Sequence, residues 1–298
     1  MSEIISTPSG IIQPFIFDNM PIRGMILRIN NLSDHIPSLG VGMEFIDKSL
    51  AEMLVASAVL TYDLKNKASV TLQIQSSGPI PLLVSQCDKS GNLRAFAKVN
   101  DNINKNDMNY DTLIKEGALF AVSVEQGAGQ QKSVYQSIVE LNKMSVSSSV
   151  EQYFNDSVQL NTYFKVFIGE NNGKLSCGCI FLQALPEKDP KLDDWRRMAI
   201  ILSTTQDDEI LPGTISEKDL LNRLFAEDQV RVFPTHDLNF ASANTRERME
   251  KALTSLGHDQ CKDLLREGPI VMTCEFTGSE ESFSKDDVSN IFDTDQDK

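Results

Sequence analysis

Residues Val232 to Phe283 read VFPTHDLNFASANTRERMEKALTSLGHDQCKDLLREGPIVMTCEFTGSEESF. Within them, Thr245 to Gly257 carries a full set of helix signals. Asn244 can cap the first turn, and Glu247 stands where a capping box places a carboxylate. Met249, Leu253 and Leu256 recur at helical spacing, and Gly257 closes the end. A second short helix follows. The breaker pair Gly268-Pro269 then leads into an apolar run, Ile270 to Phe276, that reads as a strand with Cys274 near its end.

A second informative stretch runs from Val70 to Val99, VTLQIQSSGPIPLLVSQCDKSGNLRAFAKV. Val70, Leu72 and Ile74 alternate with Thr71, Gln73 and Gln75, the period-2 pattern of a half-buried strand. Ser77-Gly78-Pro79 makes a turn, Leu82 to Cys87 a second strand, Lys89-Ser90-Gly91-Asn92 another turn, and Leu93 to Val99 a third strand.

These two stretches resemble the 33 kDa heat-shock chaperonin family of bacteria. That family has a Thr, Leu and Gln-rich strand leading through a Gly-Pro turn to a second strand and a Gly-Asn turn. Its C-terminal part has the order helix, helix, strand. Tyr135 to Leu141 and Gln183 to Pro186 match two further family strands. The resemblance covers nearly the whole chain and is weakest before Phe15 and after Ile291.

It implies an α+β protein with three parts: a mixed-sheet N-terminal chaperone domain (1–186), a helical linker (187–231) that packs on it, and a small C-terminal switch-like α+β domain (232–298). It also implies an ATP-independent holdase, homodimeric when active, whose partners are unfolded or misfolded client proteins. In the family a Cys-x-Cys pair before the first helix and a Cys-x-x-Cys pair ending the strand hold one zinc. Here the corresponding positions are Ala241, Ala243, Cys274 and Thr277, so one thiol of four remains. A structural zinc needs four soft or borderline donors, and alanine offers none. The expectation is therefore a degenerate redox switch with no metal and no cofactor.

The remaining segments fit this plan. Residues before Pro14 read as a loose lead-in, and Phe15 to Asn30 as two short strands bent around Pro21 and Gly24. Phe45 to Leu60 is apolar or small on nearly every face, the mark of a buried helix. Ala118 to Glu125 and Val134 to Leu141 read as strands, and Val150 to Leu160 as a helix. Tyr163 to Ile168 and Leu175 to Leu182 form a hairpin around Asn172-Gly173. Trp195 to Leu202 and Glu217 to Phe225 read as linker helices. Ser216 caps the second, whose Leu220, Leu221, Leu224 and Phe225 form one apolar face. That face is a candidate client-binding surface, and equally a face packed against the protein itself. After Asp286 the chain is acidic and reads as a fraying end.

Composition narrows the function classes. The 298 residues are 41% hydrophobic, enough for a large core, and carry a formal net charge of −14. Nucleic acid and anionic membrane are poor partners for such a surface, because phosphate binding draws on clustered Lys and Arg. The five cysteines, an odd and scattered set, do not form a secreted disulfide framework. The start, MSEIISTPSG, has no basic segment or long apolar run, and no stretch approaches a membrane span, so a cytoplasmic protein is expected.

Several motifs are weighed and set aside. Gly127 to Ser133 resembles a phosphate loop only loosely, since Gln131 stands where glycine must precede the lysine. Asn100 to Asn106 has the alternating polar residues of a calcium loop, but Lys105 occupies the glycine position and no closing Glu follows. His35, His236 and His258 show no ligand spacing; His236 with Cys274 would supply only two ligands. Cys177-Gly178-Cys179 puts two thiols on one face of a strand. The reading as buried core outweighs a thiol site, and the pair defines the alternative function, a thiol oxidoreductase. A third reading is a family-fold paralogue without holdase activity.

Overall fold

The computed structural model describes residues 8–40, 43–64, 68–101, 104, 108–115, 117–127, 133–171, 173–186, 190–213, 215–240, 245–274, 276 and 278–294. The chain divides into two compact units, Met1–Phe240 and Ala241–Lys298.

The first unit contains β1 (Gly10–Phe17), β2 (Ile22–Ile29), α1 (Glu44–Asp63), β3 (Ala68–Gln75), β4 (Leu82–Cys87), β5 (Asn92–Lys98), α2 (Tyr110–Lys115), β6 (Leu119–Gln126) and β7 (Ser133–Glu140). It continues through α3 (Val146–Tyr153), β8 (Thr162–Asn171), β9 (Lys174–Ala184), α4 (Leu192–Thr204), α5 (Asp207–Ile210), α6 (Glu217–Leu224), β10 (Val230–Val232) and β11 (His236–Phe240). Its strands form one mixed sheet in the order β7-β6-β3-β4-β5-β11-β1-β2-β9-β8, with β10 added beside β1. All its pairings are antiparallel except β11 with β5.

Helix α1 is the centre of the main core. Its apolar residues face every direction, and Ile46 to Thr61 are buried almost without a break. It packs against β3, β4 and β5 and against β2, β8 and β9. Strand β2 is buried along nearly its whole length because both its faces are covered. Met25, Leu27 and Ile29 face the α1 core, whereas Ile22 and Ile26 belong to a second core.

The structure departs from the sequence reading in five places, the first being the strand expected over Ile270 to Phe276, which ends at Thr273 and leaves Cys274 beyond it. Strand β1 starts at Gly10, ahead of Pro14, and pairs with β2 from there on. Helix α3 ends at Tyr153 and passes into a π turn, Phe154–Val158, instead of continuing to Leu160. Residues 232–240, read with the C-terminal part, include β11, which pairs with β1 and β5 of the first unit. The acidic end is helical: α9 (Lys285–Thr294) is capped by Ser284, whose Oγ accepts from Asp287 N at 3.2 Å. Calcium-loop residues 102–103 and 105–106, phosphate-loop residues 128–132 and turn residue 172 lie outside the described residues.

The second unit contains α7 (Thr245–Leu256), α8 (His258–Leu264), β12 (Ile270–Thr273), β13 (Glu280–Phe283) and α9. Strands β12 and β13 pair antiparallel, Ile270 opposite Phe283. Met249, Leu253, Cys261, Ile270, Phe283 and Val288 form its small core.

Candidate functional site

The second core of the first unit is an apolar sheet face covered by short helices. Phe15 and Phe17 of β1, Ile22 and Ile26 of β2, Phe167 of β8, and Ile180 and Leu182 of β9 line it. Alternation along each strand puts these side chains opposite the α1 face. The cover comes from the chain after β9: Met198 and Leu202 of α4, Ile210 of α5, and Leu220, Leu221 and Phe225 in and just after α6.

The four linker residues singled out from sequence therefore turn toward the sheet. Leu220 is 0% exposed, Leu221 and Phe225 2%, and Leu224 is half-buried against the same cluster. Phe225 meets Phe17 edge-on, ring centroids 5.0 Å apart. Gly178 of β9 makes the close approach possible, since a Cβ there would stand 2.6 Å from Ile210 Cγ2.

Polar contacts fasten this cover at defined points. Arg28, on the same side of β2 as Ile22 and Ile26, is 4% exposed. Its Nε donates to Ile210 O at 2.7 Å, and its Nη1 to Ile215 O at 2.5 Å and to Glu217 Oε1 at 2.7 Å. A buried guanidinium must have its donors filled, and here the linker fills them. Lys165 of β8 donates to Leu202 O at 2.7 Å and Thr205 O at 3.2 Å, carbonyls at the C-terminal end of α4. Burial lowers the Lys165 pKa from its ordinary value.

Arg197 of α4 grips Asp228 with two bonds of 2.8 and 2.6 Å. Burial pushes the Asp228 carboxyl up, but hydrogen bonds from Arg197 and Asn19 outweigh it and hold the pKa below the usual value. Trp195, the only tryptophan, stacks on Tyr163 with ring centroids 4.4 Å apart.

The switch positions are only partly placed. Ala241, Ala243 and Thr277 lie outside the described residues. Cys274 is half-buried against the small core of the second unit. It heads a tight turn in which Gly278 N donates to Cys274 O at 2.7 Å, with Gly278 at φ 67°. Among the described residues no group of three or more His, Cys, Asp or Glu is placed to hold a metal ion. The family's zinc does not fit the residues present: two alanines, one threonine and one thiol at the four positions do not make a tetrahedral donor set.

The histidines are ring contacts. His35 stacks on Phe240, His236 meets Tyr62 at 4.7 Å, and His258 lies against Phe292. A cleft of about 680 Å³ lined by Glu44, Asp47, Lys48, Glu170 and Asp207 contains no Ser, Cys or His.

Cys177 and Cys179 face the α1 core and are 0% exposed. Burial pushes both thiols well above their ordinary pKa, and Cys87 up to about 12. The thiolate is the reactive form, and burial disfavours it at both positions. Alkylation of Cys177 and Cys179 in the native protein is expected to be at least about a hundredfold slower than in the denatured chain. Mass spectrometry of time-quenched samples checks this, and rapid native labelling of both would revive the oxidoreductase reading.

The model of a protein family described as Hsp33 protein matches residues 11–284. The 33 kDa chaperonin of Chromobacterium violaceum is 30% identical over 285 residues, 95% of this chain and 94% of that protein. The 33 kDa chaperonin of Actinobacillus pleuropneumoniae serotype 7 is 30% identical over 276 residues, 92% of this chain and 91% of that protein. The crystal structure of the 33 kDa chaperonin (heat shock protein 33 homologue) of Thermotoga maritima has the same fold. It matches with a TM-score of 0.72 over 98% of this chain and 100% of that one, at 18% identity. With a match that runs from β1 into the second unit, and relatives aligned over nearly their full lengths, this chain belongs to the Hsp33 family of chaperonins.

Proposed function

We propose that this protein is an ATP-independent holdase. Its client surface is the apolar face shared by β1, β2, β8 and β9, which α4 to α6 cover at rest. The observation that carries the reading is the second core itself: a sheet face rich in Phe and Ile, closed by three short helices instead of a second sheet or one long helix. Short helices have little stability of their own, so packing and contacts such as those of Arg28, Lys165, Arg197 and Asn171 hold them in place. Displacing them uncovers the contiguous apolar area that binding of unfolded chains requires.

The active form is a homodimer in the cytoplasm, and its partners are unfolded or misfolded proteins. Nucleic acid and membranes are not partners; the net charge of −14 supports this.

Activity is independent of oxidant. Metal-linked thiol switching has no chemistry to start from with Ala241, Ala243 and Thr277 in place of three thiols. Release of the cover by heat or another unfolding stress takes its place. The test is suppression of aggregation of a heat-unfolded client, with and without peroxide. Equal protection in both arms is expected. A several-fold rise after peroxide, abolished by Cys274→Ser, would overturn the oxidant-independent reading. No protection at any temperature would leave a paralogue without holdase activity.

A further inference from the structure

The large sheet ends on one side in β7. Strand β6 pairs with it over eight successive residues, from Leu119 opposite Glu140 to Gln126 opposite Ser133, without a bulge. Among the described residues no strand pairs with its other side. Helix α3 packs against both end strands, β7 and β8, and α5 against β8. Natural proteins blunt free edges with lysine, proline, bulges or a covering helix. Strand β7, SVYQSIVE, has no Lys, Arg or Pro.

Three of its side chains are large, apolar and exposed. Val134 is 62% exposed, Tyr135 65% and Ile138 68%. Val134 and Ile138 share one face with Leu119 of β6, itself 53% exposed, while Tyr135 lies on the other face.

We propose that the β7 edge is a second client-docking site, open at all times, that takes an extended segment of an unfolded polypeptide as an additional strand. The proposal rests on the holdase reading for its biological partner. The recognised chemistry is a row of backbone N–H and C=O groups in extended form, with apolar side chains at alternate positions. Backbone pairing reads no sequence, which suits a protein that must hold many clients.

A second copy of this chain is the competing occupant, and size argues against it. Eight residues span about 27 Å, and pairing along that length over a strand-wide contact of about 10 Å buries roughly 300 Å² per partner. That is well short of the about 1,200 Å² in total that marks a stable specific interface. Each copy would also bring a net charge of −14.

The test uses the full chain and a fluorescein-labelled peptide of alternating Val and Thr with lysine ends, read by anisotropy. The variant Val134→Lys/Ile138→Lys changes only exposed side chains and places charge on the edge. It should bind the peptide about tenfold more weakly, the size of two lost apolar cross-strand pairs. A peptide N-methylated at alternate residues keeps the side chains but loses the donors, and it should not bind wild type. Sedimentation is measured alongside.

Equal affinity in wild type and variant, equal binding of the methylated peptide, or no binding to wild type overturns the proposal. A variant that turns a dimer into a monomer assigns the edge to a second copy and also overturns it. Wild type that binds the peptide at the edge yet fails to protect a heat-unfolded client supports the edge site and rejects the holdase reading alone.

Discussion

Leu220→Asp is expected to lift α6 off the sheet while the sheet stays folded. Leu220 is 0% exposed within the cluster of Phe15, Phe17, Ile22 and Leu182. Losing its burial costs about 1.5–3 kcal/mol. Keeping an unpaired carboxylate in that place costs several kcal/mol more. An eight-residue helix has no comparable stability of its own, so the aspartate reaches water by undocking. Against these terms stand the Arg28 to Glu217 contact and the burial of Leu221 and Phe225, which the same movement sacrifices. The net shift is on the order of 3–5 kcal/mol, or more than a hundredfold in the docking equilibrium. Amide exchange by mass spectrometry should show α6 passing from protected to nearly free, with β2 and β9 unchanged. Wild-type protection across α6 in the variant would refute the expectation.

Phe283→Ala is expected to unfold the second unit and leave the first intact. Phe283 is 0% exposed, opposite Ile270 across the β12–β13 pair, and the Arg246 guanidinium lies 4.7 Å from its ring centroid. Removing a buried Phe costs about 3–5 kcal/mol, and the cation–π contact adds about 0.5–1 kcal/mol. A unit of about sixty residues commands little more than that in total. The family's zinc, worth roughly 10–16 kcal/mol in small finger peptides, has no donor set here to supply the deficit. Calorimetry of wild type should therefore show a weaker, lower transition for the second unit, insensitive to chelator. The variant should lose that transition and keep the upper one. One tightly bound zinc per chain, or loss of both transitions together, would contradict this account.

Much of the architecture could be read from local pattern. Helix α1 announces itself by an apolar residue on every face, and β3 to β5 by alternation between Gly-containing turns. The α6 start follows from Ser216, whose side chain accepts from Asp219 N. What stayed hidden depends on partners far away in the chain.

Pro14 reads as a breaker, yet it sits inside β1. On the side away from β2, β1 pairs with β11 over Gly10 to Ile12 and with β10 over Phe15 to Phe17, so the missing N–H falls in the gap between two partners. Strand β11, HDLNF, has too weak an alternation to be seen alone and is made by pairing with β1. Helix α9 was legible. Ser284 three residues before Asp287, with Val288, Ile291 and Phe292 on one stripe, is a capped amphipathic helix, and the acidic composition masked it.

For the site, the apolar face of α6 is evident in sequence, and its burial is not. Only the sheet face with Arg28 and Gly178 decides which way Leu220 and Phe225 turn.

The proposed client surface is the sheet face beneath α4 to α6. It is tested most directly by the amount of Leu220→Asp protein needed to prevent aggregation of a denatured client diluted at a temperature where the wild-type cover stays closed. Protection by the variant is expected at a several-fold lower molar ratio than wild type, without oxidant. Equal or weaker protection by a variant whose α6 is demonstrably undocked would contradict it.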